Sequence, residues 1–135
     1  MPPSRPTHYF TLDEARALVP RLRGLLTALQ VERRQLAAAA QALQAIAPAM
    51  RSNGHGADAR RHEERVAELT AAIRSKLRQI GALGIEVKDL ESGLVDFPSL
   101  RDGRVVYLCW RADEPTVAFW HELDAGFAGR LPLDA

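Results

Sequence analysis

The chain has 135 residues, of which 47% are hydrophobic and 26% charged, and its formal net charge is +1. This composition is typical of a soluble globular protein, and the length fits one domain over residues 1–135. The single cysteine, Cys109, excludes an internal disulfide and a cysteine-rich zinc site, and a reducing cytoplasm is the expected location. We expect no membrane association, because no run approaches the roughly 20 apolar residues of a membrane span. The first ten residues also lack the apolar stretch of a signal peptide.

Charged and aromatic residues are distributed unevenly along the chain. Residues 1–84 contain 13 Lys or Arg and 7 Asp or Glu, whereas residues 85–135 contain 5 and 10. Six of the eight aromatic residues also lie in the second part. We therefore expect the functional chemistry in the acidic, aromatic half.

The basic half is predicted to contain two long helices. Thr11 and Glu14 fit a capping box at the start of the first helix, and Phe10 is placed to pack on its first turn. Beyond the cap, a heptad register predicts a coiled-coil-like stripe in which Glu32 is the one polar member. The stripe consists of Leu18, Leu22, Leu25, Leu29, Glu32, Leu36, Ala39, Leu43, Ile46 and Met50.

Proline and glycine set the expected limits of this first helix. Pro20 predicts either a kink near residues 16–20 or a restart of the helix, because proline removes a backbone donor and clashes with the preceding turn. We expect the helix to end near Ala47 or Pro48, before a turn of flexible composition over residues 52–56.

A second helix is predicted from Ala57 or Asp58 to Leu83, with Gly84 as its stop. Its apolar stripe consists of Val66, Leu69, Ile73, Leu77, Ile80 and Leu83. Together the helices predict a long antiparallel hairpin over residues 11–83 that buries only one side of each helix. We therefore expect a homodimer that forms through the helices.

Many exposed positions of the predicted helices carry arginine or lysine. These residues are Arg16, Arg21, Arg23, Arg33, Arg34, Arg60, Arg61, Arg65, Arg74, Lys76 and Arg78. Glutamates interrupt them, no aromatic residue lies among them, and no nucleic-acid-binding motif is present. A solvated or self-pairing surface is therefore favoured over a nucleic-acid interface, which we keep as an alternative.

The acidic half is predicted to form an antiparallel meander of three or four strands over residues 84–121. Pro98 should stop the second strand or place it at an edge. Asp102 and Gly103 have the composition of a tight hairpin turn. The tail over residues 122–135 should be irregular. The predicted fold class is α+β.

Three sequence blocks resemble a known family. The blocks are HYFTLDEARALVPRLRGLL, GIEVKDLESGLVDFPSLRDGRVVYLCWR and EPTVAFWHELDAGFAGRLPL. They resemble the uncharacterised family catalogued as domain of unknown function 2203, and the resemblance covers nearly the whole chain. It implies a small bacterial or archaeal protein of similar layout, and it assigns no catalytic residue.

Two acids interrupt the apolar pattern of the predicted strands. Asp89 and Asp96 occupy positions where the alternation requires apolar residues, and we expect them to lie near each other across the turn at residues 91–93. Such a pair can share a proton, bind a cation or hold an arginine. The alternative is structural pairing with arginine together with turn capping. The candidate ligand-binding residues are Glu86, Lys88, Asp89, Asp96, Arg101, Trp110, Arg111, Trp120 and Arg130.

His121 is the candidate metal ligand. With Glu122, Asp89 and Asp96 it would offer a mixed nitrogen and oxygen set that suits Zn, Mn or Fe. The alternative is that His121 hydrogen-bonds a carboxylate or carbonyl group and orders the sheet edge. The turn predicted at residues 112–115 puts position 109 roughly opposite residue 118, so we expect His121 to lie opposite Tyr107 or Val106. Cys109, in an apolar strand, is expected to be a small core residue.

Three classes of function follow. The first, chosen by elimination, is a small binding or interaction protein with an acidic and aromatic ligand patch on the meander. The second is a divalent-metal-binding protein or metal-dependent enzyme that uses His121. The third is a nucleic-acid-associated protein. The sequence shows no nucleotide-binding loop and no nucleophile elbow, so nucleotide-dependent and hydrolase functions lack support. Whether the chain is an enzyme stays open, since loose carboxylate–histidine sites leave no strict linear motif.

Overall fold

The computed structural model describes residues 8–46, 54 and 56–133. Over these residues the chain forms two long helices followed by a five-stranded antiparallel sheet, which confirms the predicted α+β class with a helical hairpin and a β-meander. The elements are α1 (Leu12–Gln44), α2 (Gly56–Ala82), β1 (Glu86–Asp89), β2 (Leu94–Arg101), β3 (Arg104–Arg111), β4 (Phe119–His121) and β5 (Leu131–Pro132). The sheet exceeds the predicted strand number because the C-terminal segment, expected to be irregular, pairs as β5 with β4.

The chain divides into two compact units, and their boundary crosses both helices. The first unit contains the described residues up to Thr27 and from Arg78 onward, so it holds the whole sheet. The second unit, Ala28–Leu77, contains the remaining parts of the two helices. Within the described residues, neither helix is long and apolar enough to cross a lipid bilayer.

Helix α1 begins with the predicted capping box. The Glu14 amide donates to Thr11 Oγ at 3.1 Å, and the Thr11 amide donates to Glu14 Oε1 at 3.0 Å. The helix continues through Pro20 without restarting, so that alternative is wrong. Its last helical residue is Gln44; the predicted end at Ala47 or Pro48 lies outside the described residues, as does most of the predicted turn at 52–56.

The second unit pairs the two helices through polar contacts. Lys76 Nζ lies 2.8 Å from Glu32 Oε2, and Arg65 donates to Gln35 at 3.3 Å. Glu32, the polar member of the heptad stripe, therefore has a cationic partner on the neighbouring helix. The later residue of α1, Gln35, contacts the earlier residue of α2, Arg65, so the two helices run in opposite directions. The predicted antiparallel hairpin is confirmed.

Helix α2 ends on glycine as predicted. Gly84 has a φ of +90°, its amide donates to the Gly81 carbonyl at 2.9 Å, and the Ile85 amide donates to the Ile80 carbonyl. These two bonds form a Schellman motif, which needs a left-handed residue that glycine adopts without steric cost. Ile80 and Ile85 are both buried beside it.

The antiparallel register assigns the side chains of the sheet to two faces, because successive side chains in a strand alternate. The helix face carries Phe97 and Trp110, both fully buried. It packs on the first-unit part of α1, where Arg23 lies 5.1 Å above the Trp110 ring and the Phe10 ring meets Phe97 at 5.4 Å. The opposite face, which we call the site face, carries the pair Asp96 and Cys109.

Pro98 does not stop β2, so that alternative is wrong, whereas the predicted edge position is present because β1 does not extend to Pro98. The strand continues to Arg101 and pairs Pro98 with Tyr107 of β3. The Pro98 carbonyl accepts a 2.7 Å hydrogen bond from the Phe10 amide, so the polar atoms of this residue point away from β3. On the other side of β2, strand β1 pairs only with residues up to Asp96. A proline at position 98 therefore removes no hydrogen bond between β1 and β2.

The capping box makes a stability prediction. Replacing Thr11 with alanine removes the acceptor of the Glu14 amide, so we expect Thr11→Ala to lower the free energy of unfolding by about 1 kcal/mol. Thr27→Ala, at an exposed position inside α1, is the matched control and should cause no loss, since alanine is the better helix former. Urea denaturation measures both. Equal stability of Thr11→Ala and wild type would contradict the role of the cap.

Candidate functional site

Three chemically reactive side chains meet on the site face. Asp96 of β2, Cys109 of β3 and His121 of β4 have residue exposures of 2%, 0% and 2%. Asp96 is paired directly with Cys109, and His121 with Tyr107, two residues from Cys109 on the same face. Their carboxylate oxygen, sulfur and imidazole nitrogen atoms all lie within 4.8 Å of one another. Among the described residues this is the one such group of three that could hold a metal ion.

The hydrogen bonds of His121 fix the orientation of its ring. Nδ1 lies 2.7 Å from the Glu122 carbonyl oxygen, and a carbonyl oxygen can only accept, so Nδ1 carries a proton and donates it. Nε2 is thereby directed at Asp96, with both carboxylate oxygens at 3.0 Å. One proton must lie between Nε2 and the carboxyl group to satisfy this buried contact. The predicted alternative, in which His121 bonds a carboxylate and a carbonyl group, is thus present in the structure.

Burial shifts the titration of the two acids in this cluster. Desolvation raises the pKa of Asp96, and the neighbouring His121 opposes the shift. Burial, reinforced by the Asp96 carboxylate, raises the pKa of the Cys109 thiol to about 12. In this arrangement Cys109 is a neutral thiol beside the Asp96 carboxyl group. The shift disfavours a free cysteine nucleophile, which requires a lowered pKa.

A pocket of about 240 Å³ opens beside the cluster. Its lining residues are Lys88, Leu94, Asp96, Tyr107, His121, Leu123, Asp124, Gly126 and Phe127. Asp96 and His121 are buried, whereas Leu123 and Phe127 of the C-terminal segment are 54% and 43% exposed. The segment after β4 therefore forms the outer wall, and the reactive groups lie at the inner one.

A polar group flanks the pocket on the β1 side. Lys88 Nζ lies 2.7 Å from Glu86 Oε1 and 4.9 Å from the centre of the Tyr107 ring. The Tyr107 ring is in turn 5.4 Å from the His121 imidazole. Burial and a hydrogen bond to Glu86 raise the pKa of the Tyr107 phenol, so the phenol stays protonated at neutral pH. Glu86, Lys88 and Tyr107 thus form a continuous set beside His121.

The predicted pair of Asp89 and Asp96 is not formed. The register is shifted between Val87 and Asp89, so that Asp96 lies opposite Glu86 and Asp89 lies opposite Leu94. Asp89 is exposed and accepts a 2.5 Å hydrogen bond from Ser92 Oγ, which is the turn-capping alternative. The register itself keeps the two acids apart, because neither the pairing before the β-bulge nor the pairing after it brings residue 89 opposite residue 96.

The side chain of Glu122 also lies apart from Asp96, Cys109 and His121. Its carboxylate binds Arg104 on the surface, with Oε2 at 3.2 Å from Arg104 Nε. The contribution of Glu122 to the site is its backbone carbonyl, which accepts from His121. The third side chain beside Asp96 and His121 is therefore Cys109 and not Glu122, although the sequence interpretation treated Cys109 as a core residue.

The tryptophans do not form a wall of this pocket. Trp110 and Trp120 lie on the helix face, opposite to Asp96, because their register partners are Val95 and Leu108. Trp110 donates to the Glu114 carbonyl at 3.0 Å, and Arg101 stacks on Trp120 at 4.5 Å.

Two further predicted ligand-binding arginines hold the C-terminal segment. Arg130 is nearly buried, binds both Glu114 carboxylate oxygens at 2.6 and 2.8 Å, and lies 4.0 Å from the centre of the Phe119 ring. Arg111 binds Asp113 at 2.6 Å and lies 5.1 Å from the centre of the Phe127 ring. Both arginines have structural partners, and Phe127, which lines the pocket, is held between them.

The role of Cys109 could have been found from the strand register. The sequence interpretation placed Cys109 opposite residue 118, whereas the structure pairs it with Phe119. The expectation that His121 faces Tyr107 is confirmed. Since residues 119 and 121 share a face, that register brings His121 diagonally next to Cys109.

The contact between Asp96 and His121 makes a second stability prediction. In metal-free protein, Asp96→Ala leaves His121 Nε2 buried without a partner, and we expect a loss of about 1–3 kcal/mol in the free energy of unfolding. Asp96→Asn keeps a neutral donor for Nε2 and should lose less. Asp124→Ala, on the exposed C-terminal segment, is the control. Denaturant titration in the presence of a chelator measures all three, and an unchanged Asp96→Ala variant would refute the importance of the contact.

Comparisons with known proteins give a family and no activity. A family model described as uncharacterized conserved protein (DUF2203) matches residues 8–133. Neither the curated proteins nor the solved structures gave a match.

Proposed function

Because the chain belongs to the DUF2203 family, whose description names no activity, we propose a function from the site itself. The protein binds one zinc ion through Asp96, Cys109 and His121 and presents that ion to a small ligand in the adjoining pocket. The observation that carries this proposal is the orientation of His121 by the Glu122 carbonyl, which directs Nε2 toward the other two side chains.

The donor set fits zinc in chemistry and in size. Thiolate, imidazole and carboxylate are the three kinds of ligand that zinc sites use, and on a tetrahedral zinc ion such atoms lie about 3.5 Å apart. In the structure His121 Nε2 lies 3.0 Å from the Asp96 carboxylate, and no two of the three ligand atoms are more than 4.8 Å apart. Adjustments of about 1 Å would therefore complete the coordination.

The hydrogen bond from His121 Nδ1 is typical of metal-binding histidines. Ligating imidazoles donate their second N–H to a carbonyl or carboxylate group, which fixes the ring and the tautomer. Here the acceptor is a backbone carbonyl of the residue next in sequence, so the orientation depends on the strand end and not on a mobile side chain.

Charge balance also favours a divalent ion. Zinc binding displaces the thiol proton of Cys109 and the proton between Asp96 and His121, and a coordinated thiol is deprotonated. A dication with one thiolate and one carboxylate is neutral overall. The buried site would then contain no uncompensated charge, which would otherwise be costly at exposures of 2% or less.

Three protein ligands leave one coordination position open. Structural zinc sites have four protein ligands, whereas catalytic sites have three and keep the fourth position for water or substrate. In this chain Asp96 and His121 both line the pocket, so a zinc ion held by them would be accessible from it. A zinc ion there would polarise a bound oxygen group, so we propose a metal-dependent enzyme or a metal-dependent ligand-binding protein.

The two other classes of function have less support. The metal-free ligand patch included Trp110 and Trp120, which lie on the face opposite Asp96. The nucleic-acid alternative needs free cations on the helices, yet Arg61, Arg65 and Lys76 each form an ion pair within the second unit. A cytoplasmic location remains part of the proposal, because a reducing compartment keeps Cys109 available as a ligand.

We also propose that the helices form a homodimer, as the heptad pattern predicts. Val31 and Leu77 of the second unit are 40% and 37% exposed. Leu36 and Leu43 of the heptad stripe are only partly buried. A second copy of the chain would cover these apolar side chains.

Zinc binding is tested on untagged protein that has been treated with a chelator and dialysed. We expect calorimetric titration to give one Zn²⁺ per chain, and zinc at 100 times its Kd to raise the free energy of unfolding by about 2.7 kcal/mol. Cys109→Ser and His121→Gln should each weaken zinc binding by more than the roughly 10–100-fold that loss of a supporting partner costs. His62→Gln, on α2, is the matched histidine control and should bind zinc with the same affinity as the wild-type protein.

Circular dichroism in chelator shows whether the zinc-site variants remain folded. A wild-type protein that cannot be loaded with zinc would refute the proposal. Equal zinc affinity in folded Cys109→Ser and His121→Gln variants would also refute it.

The homodimer is tested by light scattering. We expect a mass near twice the 14.9 kDa of one chain at micromolar concentration, falling on dilution if the dimer is weak. Replacing Val31 with lysine should shift the population toward the monomer, since a charge would be placed in the apolar contact. The monomer mass across the whole micromolar range would contradict the dimer.

A further inference from the structure

The pocket beside Asp96, Cys109 and His121 has an apolar wall and a polar end. Leu94, Leu123 and Phe127 are apolar, and Asp96 with His121 forms the metal-binding end. The volume of about 240 Å³ is below the roughly 300–1,000 Å³ of sites for drug-sized ligands. The pocket therefore fits a molecule of few atoms with one polar end and an apolar body.

Lys88 supplies a positive charge at the polar end. It is the one lysine or arginine among the described residues that line this pocket. Its ammonium group carries three donors, and the contact with Glu86 at 2.7 Å uses one of them. The ammonium also remains accessible, since the side chain is 40% exposed.

The position of Lys88 follows from the register of β1. Glu86 lies opposite Asp96 on the site face, and successive side chains of a strand alternate, so Lys88, two residues further on, lies on that face as well. The register shifts only between Val87 and Asp89, so Lys88 is also the extra residue of a β-bulge, an irregularity that is common beside functional sites.

Phe127 supplies the apolar wall opposite the sheet. Its ring lies 5.1 Å from the Arg111 guanidinium and 4.7 Å from that of Arg130, and Arg130 is anchored by Glu114. Two cations at fixed positions hold a ring that is itself 43% exposed. An exposed aromatic side chain held in this way offers a rigid surface for the body of a small ligand.

We propose that the ligand of this pocket is a small carboxylate with a short apolar chain. This inference rests on the proposed zinc site. The carboxylate head binds the open zinc position and Lys88, and the apolar chain packs on Leu94, Leu123 and Phe127. A free carboxylate is a good zinc ligand and a good acceptor for an ammonium group, and its charge is opposite to that of Lys88.

The test is calorimetric titration of the zinc-loaded protein with isocaproate. Isocaproamide has the same shape without the charge, and acetate has the head without the chain. We expect isocaproate to bind at least about tenfold more tightly than acetate, since several buried methylene groups contribute to its affinity. Isocaproamide should bind at least about tenfold more weakly than isocaproate.

Variants separate the two ends of the ligand. Lys88→Gln should lower the affinity for isocaproate about tenfold and leave the affinity for zinc unchanged, whereas Arg60→Gln, on α2, should change neither affinity. Phe127→Ala should lower the affinity for isocaproate and leave the affinity for acetate unchanged. Normal zinc binding without isocaproate binding would overturn this inference and leave the zinc site intact. Isocaproate bound equally well after zinc removal, or no better than acetate, would also overturn it, and absence of zinc binding would overturn both proposals.

Discussion

The buried contact between Asp96 and His121 is the constraint on which the rest of the site depends. Two ionisable groups in a protein interior are costly unless they are paired, and replacing such a pair by well-packed apolar residues is often neutral or stabilising. A pair of this kind, with Cys109 beside it and the Glu122 carbonyl fixing the imidazole, is therefore poorly explained by stability alone. The proposed metal binding would give all four groups a common purpose, and it would remove the two protons that the buried metal-free cluster must hold.

The fold places this cluster by simple means. Antiparallel pairing of β2, β3 and β4 brings one residue from each strand to the same face, while the helices cover the other face and supply the core. The segment after β4 returns along the site face, where Arg130 fixes it to Glu114. The helix face can therefore be packed entirely for stability, and the site face can carry polar groups that the core would not tolerate.

Much of this arrangement could be predicted from the sequence, because local signals determine it. The capping box at Thr11, the glycine stop at Gly84 and the hairpin turn at Asp102 and Gly103 all depend on residues close together in the chain. The errors arose where a distant segment decides the outcome. Pro98 fits within a strand because the Phe10 segment replaces a neighbouring strand, and Asp89 stays away from Asp96 because the register pairs it with Leu94. The proposed ligand role of Cys109 depends on a register difference of one residue, and no linear motif encodes it.

The most direct test of the zinc site is the absorption spectrum of the cobalt-substituted protein, since Co²⁺ replaces zinc with the same ligands and reports them optically. We expect Co²⁺ to saturate at one ion per chain, with intense visible bands of a tetrahedral ion and a near-ultraviolet band from charge transfer between thiolate and cobalt. The charge-transfer band should be lost in Cys109→Ser. The weak spectrum of octahedral, water-coordinated cobalt, without a thiolate band, would contradict a metal centre formed by Asp96, Cys109 and His121.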